Sequence, residues 1–288
     1  MDAINTHIPI HFPIDDPEKL AILAAEFQAK SRGQCWSGQV GAVDGVHIAM
    51  GKPPKKVPNP RRYFVARKDE FALLVMCTCD AKRRFLAYDI SQASTTHDSL
   101  AWAASSLGRA VGAGELPLPF FINGDNAFTQ TASMMVPAGT TELDDYDFVQ
   151  SSSRMPIECA FGILARRWGV LWRPLICRFD RRAALVGALI RLHNVCIDWG
   201  VTERELEMIN GLGKVQPGRW AKVPIFDRYG RPVRMLDTTG LKASDVSNVA
   251  YSADRFKRRG ELVAAVREAG IVRPPLPAGV AKKRKTRK

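Results

Sequence analysis

The order of apolar segments along the 288-residue chain is the feature that most constrains its fold. Some segments are apolar runs or alternate apolar with polar residues as strands do, and others repeat apolar residues at helical spacing. The predicted elements are strands 40–50, 71–79 and 84–91, helix 98–107, strand 118–123, and helices 154–171 and 181–199. Three strands, a helix, a strand and two helices predict an α/β (α+β) fold, with a mixed sheet flanked by helices.

The remaining segments suggest three parts. Residues 1–38 form an N-terminal extension that is partly helical, with an amphipathic stretch at 17–30, and residues 39–198 form the main domain. Residues 199–288 form a C-terminal extension, rich in Gly, Pro and charge, with one predicted helix at 252–269. Within the domain, 51–60 is expected to be a loop and 123–147 to be irregular, with an acidic cluster near its end.

Composition excludes several classes of protein. Hydrophobic residues are 46% and charged residues 25%, as in globular proteins with a sizeable core. No uncharged run is long enough to cross a bilayer, and the N-terminus lacks the pattern of a secretory signal. The six cysteines form no CxxC pair, which argues against a zinc site. Neither a GxxxxGK[ST] loop nor a GxSxG elbow is present, which argues against nucleotide hydrolysis and serine-hydrolase chemistry.

The net charge of +13 is the first positive clue to function. A basic surplus favours a polyanionic partner such as nucleic acid, although a basic protein without such a partner fits the composition equally well. Six of the last seven residues, KKRKTRK, are basic. This cluster is typical of a nuclear address, and its alternative is a solvated tail that helps to hold nucleic acid.

Two aspartates lie where an apolar segment meets a turn-like sequence. Asp44 would share a strand face with apolar residues, where a carboxylate is costly unless a cation pairs with it. The Asp44-Gly45 pair is also a hairpin-turn signal, and spacing alone slightly favours the turn. Asp125 follows the apolar run 118–123, at a strand end where catalytic groups are often presented. Gly124, Asp125 and Asn126 are equally typical turn residues.

Glu158 is the most informative acid. At helical spacing it shares a stripe with Arg154 and with small residues at 162, 165 and 169. Glycine inside a helix costs about 1 kcal/mol relative to alanine, so the small residues imply that the space beside Glu158 is used. A metal or a nucleic-acid backbone would use it, and so would close packing against another helix.

Basic residues surround this helix. From 154 to 191 there are eight arginines and two acids, and Trp168 and Trp172 lie among them. Arginine suits bidentate contact with phosphate, which favours Arg154, Arg166 and Arg167 as DNA-binding residues.

Five motifs together resemble a known family. They are VDGVHI at 43–48, SxxTTHDS ending at 99, INGDNAF at 122–128, SSRMPIECAFGILARRWGVL at 152–171 and LHNVCID at 192–198. In this order they resemble the DDE transposase domain of the PIF/Harbinger superfamily, the Harbinger-like nucleases, over about residues 39–198.

The resemblance implies an RNase H-like fold and a catalytic, metal-binding triad of Asp44, Asp125 and Glu158. It implies cleavage of DNA phosphodiesters and strand transfer, with Mg²⁺ or Mn²⁺ as cofactor. His97 and Asp98 become possible supporting residues of that site. Lys55, Lys56, Arg61 and Arg62 in the basic loop join the three arginines as candidates for DNA contact.

The resemblance also implies a nuclear protein with a Myb/SANT-like DNA-binding partner. Its oligomeric state is not predicted. Only 43 residues precede Asp44, fewer than the helical segment usual in such proteins would need. The alternative is therefore a domesticated, catalytically inactive nuclear DNA-binding or adaptor protein.

Overall fold

The structure is a computed structural model that describes residues 1–201 and 256–274, and the backbone of strands β7 (Ile225–Phe226) and β8 (Pro232–Val233). Most of the predicted C-terminal extension, including the basic tail, lies outside the described residues. None of the described helices is long and apolar enough to span a membrane.

A six-stranded sheet forms the centre of the protein, in the order β2-β3-β1-β5-β6, with β4 also paired to β3. The pairs β1–β3 and β3–β4 are antiparallel, and β1–β5 and β5–β6 are parallel. The strands are β1 (Gln39–Met50), β2 (Phe64–Val65), β3 (Glu70–Cys79), β4 (Phe85–Asp89), β5 (Phe121–Asn123) and β6 (Met134–Met135).

Helices lie on both faces of this sheet, which confirms the predicted α/β, RNase H-like arrangement. The helices are α1 (Asp2–His7), α2 (Pro17–Lys30), α3 (Asp98–Ala104), α4 (Ser106–Gly112), α5 (Asp144–Arg167), α6 (Phe179–Asp198) and α7 (Lys257–Glu268). One face packs against α5 and α6, through residues such as Ile157, Phe161 and Ile190. The other packs against α2, α3 and α4, through residues such as Leu20, Ala101 and Val111.

Strand β1 runs without interruption through the Asp44-Gly45 pair. Asp44 is opposite Cys77 of β3, and Gly45 is opposite Met76. The hairpin-turn interpretation of this pair is therefore wrong. Alternation along the strand places Asp44 on the same face as Ala42 and Ile48, which is the face covered by α5.

Helix α5 is longer than its apolar pattern predicts. It begins at Asp144, within the segment expected to be irregular, and it ends at Arg167 rather than at 171. Asp144, Asp145 and Asp147 occupy its first turn, where acids are stabilised by the helix dipole. In the predicted helix 154–171, Pro156 would lie in the first turn. Because α5 begins at Asp144, Pro156 lies inside the helix instead.

The predicted helix 98–107 is two helices. It divides at Ser105, whose hydroxyl accepts a hydrogen bond from the Gly108 backbone at 3.0 Å and caps α4. A side-chain oxygen at this position satisfies one of the free N–H groups of the new helix. The strand predicted at 84–91 is likewise shorter and covers only β4.

The helix predicted at 252–269 forms as α7 and belongs to the core of the described structure. Leu262 and Val266 pack with Trp36, Phe121 and Tyr146 in a cluster beside the outer strands of the sheet. This cluster joins the N-terminal segment, β5, α5 and α7. Part of the C-terminal extension therefore completes the main domain.

Truncation of Leu262 tests that conclusion. Leu262→Ala should lower the free energy of unfolding by about 2–5 kcal/mol, because the side chain is fully buried and its loss leaves a cavity. Val272→Ala, at a side chain that is 74% exposed, should change it by less than about 0.5 kcal/mol. Urea denaturation measures both, and equal effects would contradict the packing of α7.

Candidate metal centre

Strand register places Asp44 and Asp125 at the same level of two neighbouring chain segments. The parallel pairing of β1 and β5 ends at Ala42 opposite Asn123. Asp44 and Asp125 each follow two residues later, and their carboxylates are close enough for Asp125 to raise the pKa of Asp44. The Asp125 carboxylate also accepts a hydrogen bond from the Ala127 backbone at 2.8 Å. Asp125 is thus both a turn residue and a neighbour of Asp44.

The Asp44 carboxylate lies in mostly buried surroundings, with 19% of its side chain exposed. One oxygen accepts from the Gly45 backbone at 2.8 Å, and the other lies 3.3 Å from Arg154 Nη1. Burial raises the pKa of Asp44 to about 7, because the attraction of Arg154 offsets it only in part and Asp125 and Asp98 add repulsion. This carboxylate is therefore short of positive charge.

Arg154 joins Asp44 to Glu158. Its Nη2 lies 2.5 Å from Glu158 Oε1, one helical turn further along α5, while Nη1 faces Asp44. Burial opposes its charge, but Glu158, Asp44 and Asp125 together outweigh burial and raise the pKa of Arg154. The guanidinium is therefore a fixed positive charge between a strand carboxylate and a helix carboxylate.

Asp98 adds a fourth carboxylate from the opposite face of β1. It is the first residue of α3, and a Cβ atom at Gly45 would lie only 2.7 Å from Asp98 Oδ1. Glycine at 45 therefore allows Asp98 to approach the strand. Burial, together with the repulsion of Asp125, raises the pKa of Asp98 to about 6, although Arg67 and His97 oppose this. The sequence placed Asp98 only among the supporting residues.

A buried network of amide side chains sets the position of α5, and the sequence patterns gave no sign of it. Gln150 donates to Asn123 Oδ1 at 2.8 Å and to the Gly124 carbonyl at 2.6 Å. Gln39 donates to the Ser153 carbonyl at 3.0 Å, and Asn123 to the Gln150 carbonyl at 3.1 Å. These bonds tie α5 to the start of β1 and to the end of β5, just before Asp125.

The donor set suits a hard divalent cation. Oxygen ligands are what Mg²⁺ and Mn²⁺ prefer, and the mutual repulsion of Asp44, Asp98 and Asp125 would be relieved by added positive charge. In residues 1–201 and 256–274, however, no three acidic, His or Cys side chains converge closely enough to hold an ion. Glu158 is turned toward Arg154 in this arrangement. By their chemistry, Asp44, Asp125 and Glu158 fit the role of ligands, with Asp98 beside them.

Comparison with known families assigns the domain. Residues 43–194, which include all four carboxylates, match the family described as DDE superfamily endonuclease, of Harbinger type. The chain belongs to this family. No curated protein and no solved structure matched the chain. The resemblance seen in the motifs is thereby confirmed for this part of the sequence, while the roles of individual residues stay predictions.

The candidate DNA-binding residues of the endonuclease domain fall into two groups. Lys55, Lys56, Arg61 and Arg62 are exposed, and the Arg62 carbonyl accepts from the Thr95 hydroxyl at 3.0 Å. The basic loop is thus held beside the segment that leads to Asp98. Arg67, at the end of this stretch, lies close enough to stabilise the charged form of Asp98.

On α5 of the endonuclease, Arg166 is exposed and Arg167 is half-buried, whereas Arg154 lies among the carboxylates. Two further arginines of the basic stretch are structural. Arg182 donates to the Gly51 carbonyl at 2.6 Å and Arg191 to the Ile8 carbonyl at 2.8 Å. Part of the excess of arginines over acids therefore stabilises the fold.

The histidines of the endonuclease have separate surroundings. His47 Nε2 lies 2.9 Å from the Ser94 carbonyl, and burial lowers the pKa of this ring to about 4. His193 Nε2 lies 2.8 Å from the Arg83 carbonyl, and burial lowers its pKa to about 4 as well. Both rings are therefore neutral at physiological pH, and each is hydrogen-bonded to a backbone carbonyl. His97 is exposed at the start of α3, next to Asp98.

The pKa of Asp44 predicts how metal-free stability changes with pH. Because its folded pKa is raised from 3.8 to about 7, its contribution is fully present below about pH 4 and is lost as pH rises through 7. Asp44→Asn removes this titration, so the variant should gain stability relative to the wild type between about pH 5 and 8 in EDTA. Urea denaturation measures the difference. A constant difference across this range would contradict the raised pKa, and the exposed-acid variant Glu115→Gln is the control.

Removal of Arg154 tests its role as a counter-ion. Arg154→Gln should lower the free energy of unfolding in EDTA by roughly 3 kcal/mol, because two carboxylates lose their partner. Mn²⁺ should then raise its melting temperature more than that of the wild type. Arg166→Gln makes the same change of charge at an exposed position of α5 and should match the wild type. Identical behaviour of the two variants would disprove the role.

Proposed function

We propose that the chain is a divalent-metal-dependent endonuclease of the Harbinger transposase type, which cleaves DNA phosphodiesters and transfers strands by the triad Asp44, Asp125 and Glu158. The observation that carries this proposal is the meeting of Asp44 and Asp125 across the β1–β5 pair, with Glu158 linked to Asp44 through Arg154. Family membership supports the class of reaction. The three carboxylates come from separate segments that are far apart in sequence, and the fold brings these segments together.

Bound Mg²⁺ or Mn²⁺ would supply activation of the attacking oxygen and charge stabilisation at the scissile phosphate. The carboxylates of the triad would hold the ion, and Asp98 would lie beside them and add negative charge. Burial keeps water away from Asp44, so its charge is screened less and its attraction for a cation is stronger. Because Asp44 must lose its proton to act as a ligand, ion affinity should rise as pH passes 7.

The exposed basic residues would hold the DNA backbone beside this site. Arg62 is bonded to Thr95, in the segment that leads to Asp98, and Lys55, Lys56 and Arg61 precede it in the same basic loop. Arg166 lies on the helix that carries Glu158. Contacts of this kind release counter-ions, so binding should weaken steeply with salt. Nuclear localisation and a Myb/SANT-like partner remain part of the proposal, supported by the basic tail and by the family.

The second candidate function is a nuclear DNA-binding or adaptor protein that no longer cleaves. The position of Arg154 favours it, since its guanidinium offsets part of the negative charge of Asp44 and Glu158 without any ion. This candidate retains salt-dependent DNA binding and lacks metal-dependent cleavage.

Nicking of supercoiled plasmid with Mg²⁺ or Mn²⁺ separates the two candidates. The wild type should nick, and Asp44→Asn, Asp125→Asn and Glu158→Gln should each lower the rate by about 100-fold or more, while DNA binding is retained. Glu142→Gln, at an exposed acid just ahead of α5, should nick at the wild-type rate. Tight DNA binding without nicking by the wild type would favour the inactive protein. Nicking that survives in all three variants would show that the triad is wrong.

A further inference from the structure

The segment that follows α5 presents an apolar surface to solvent. Trp172 is 64% exposed, and Val170 and Ile176 beside it in sequence are 48% and 88% exposed. Single exposed apolar residues are ordinary, but three within seven residues, one of them tryptophan, form a feature that needs a partner. We call the surface formed by residues 170, 172 and 176 the Trp172 surface.

The indole ring of Trp172 is held in place although it is exposed. Its Nε1–H donates to the Ala165 carbonyl at 2.7 Å. That carbonyl belongs to the last turn of α5, where carbonyls lack a partner within the helix. The side chain thus caps the helix and its orientation is fixed. A ring fixed before binding loses little conformational entropy when a flat ligand stacks on it.

The charged residues of this chain segment are mostly basic. Between Glu158 and Asp180 the chain has four arginines and no acidic residue. Arg166 and Arg173 are both exposed, one in the last turn of α5 and the other directly after Trp172. Arg178 is exposed as well and pairs with Asp180 at 2.8 Å. An apolar, aromatic surface edged by arginines fits a polyanion that carries flat rings.

The surface lies within reach of the proposed catalytic site. Ala165, to which Trp172 is bonded, is seven residues beyond Glu158 and therefore about 10 Å along the axis of α5. At about 3.4 Å per nucleotide along a stacked strand, that is about three nucleotides. A strand whose phosphate lies at the carboxylates could place a nearby base on the indole ring.

We propose that the Trp172 surface binds an unpaired base of a single DNA strand, by stacking on the indole, while Arg166 and Arg173 contact the adjoining phosphates. This binding rests on the proposed function for its substrate but needs no metal ion and no cleavage. Duplex DNA keeps its bases within the stack and offers this ring no face, so the surface discriminates between single-stranded and paired DNA.

Binding of a fluorescein-labelled single strand of about 12 nucleotides, and of the duplex of the same sequence, tests the proposal by anisotropy in EDTA. Trp172→Ala should weaken single-strand binding by about tenfold or more, with less than about threefold effect on the duplex. Trp172→Phe, which keeps a ring but loses the N–H bond that orients it, should weaken single-strand binding less than Trp172→Ala does. Trp199→Ala removes an equally exposed tryptophan at the end of α6 and should change neither.

The salt dependence distinguishes stacking from charge. Trp172→Ala should leave the slope of log affinity against log salt unchanged, whereas Arg173→Gln should reduce its magnitude by about one. Should Trp172→Ala fail to fold, a single strand that carries 5-iodouracil should crosslink to Trp172 of the wild type under ultraviolet light. Peptide mass spectrometry locates that crosslink, and its absence from Trp172 would overturn the proposal.

Other outcomes are equally decisive. Equal loss of single-strand and duplex binding in Trp172→Ala would overturn the proposal, and so would unchanged DNA binding with altered self-association in sedimentation, which would assign the surface to a protein interface. Persistence of Trp172-dependent binding in a protein that does not nick DNA would overturn the proposed catalytic function alone. Nicking without any such dependence would overturn only this inference.

Discussion

Three buried amide side chains fix the geometry on which the candidate site depends. Gln39 begins β1, Asn123 ends β5, and Gln150 lies in the second turn of α5, so their hydrogen bonds connect the elements that carry Asp44, Asp125 and Glu158. A buried amide without a partner costs about 1–3 kcal/mol, and here each of the three has partners in a different element. Any slippage of α5 along the sheet would break several of these bonds at once. The network therefore fixes the position of α5 relative to strands β1 and β5.

The site that this framework creates is electrostatically unbalanced. Asp44 lies on β1, Asp98 and Asp125 come near it from other segments, and burial removes the water that would otherwise screen Asp44 and Asp98. Arg154 compensates part of this negative charge by contacting Asp44 and Glu158 together. A divalent cation would compensate more of it. The counter-ion role of Arg154 and the proposed ligand role of the carboxylates are therefore connected.

Patterns of local spacing predicted most of the helices and strands. They failed where contacts between residues distant in sequence determine whether an element forms or where it begins. The alternation in β1 was correctly predicted, but spacing could not decide whether Asp44-Gly45 was a turn, because only pairing with Cys77 and Met76 fixes the strand. The start of α5 was misplaced because its first turns carry few apolar residues, and these, Tyr146 and Val149, are buried only by packing in the cluster that includes α7. Asp98 was predicted only as a possible supporting residue, and its proximity to Gly45 exists only once α3 packs on the sheet.

By itself the sequence determined the class of fold, the family motifs and the identity of the acids, because these depend on period, order and residue type along the chain. The tertiary structure decided which of these acids meet, since strand register and the packing of α5 bring together residues more than 80 positions apart. It also placed Arg154 between two carboxylates and left Trp172 exposed beside Arg173. Charged and aromatic residues can be counted in a sequence, but only the fold decides which groups lie beside each of them.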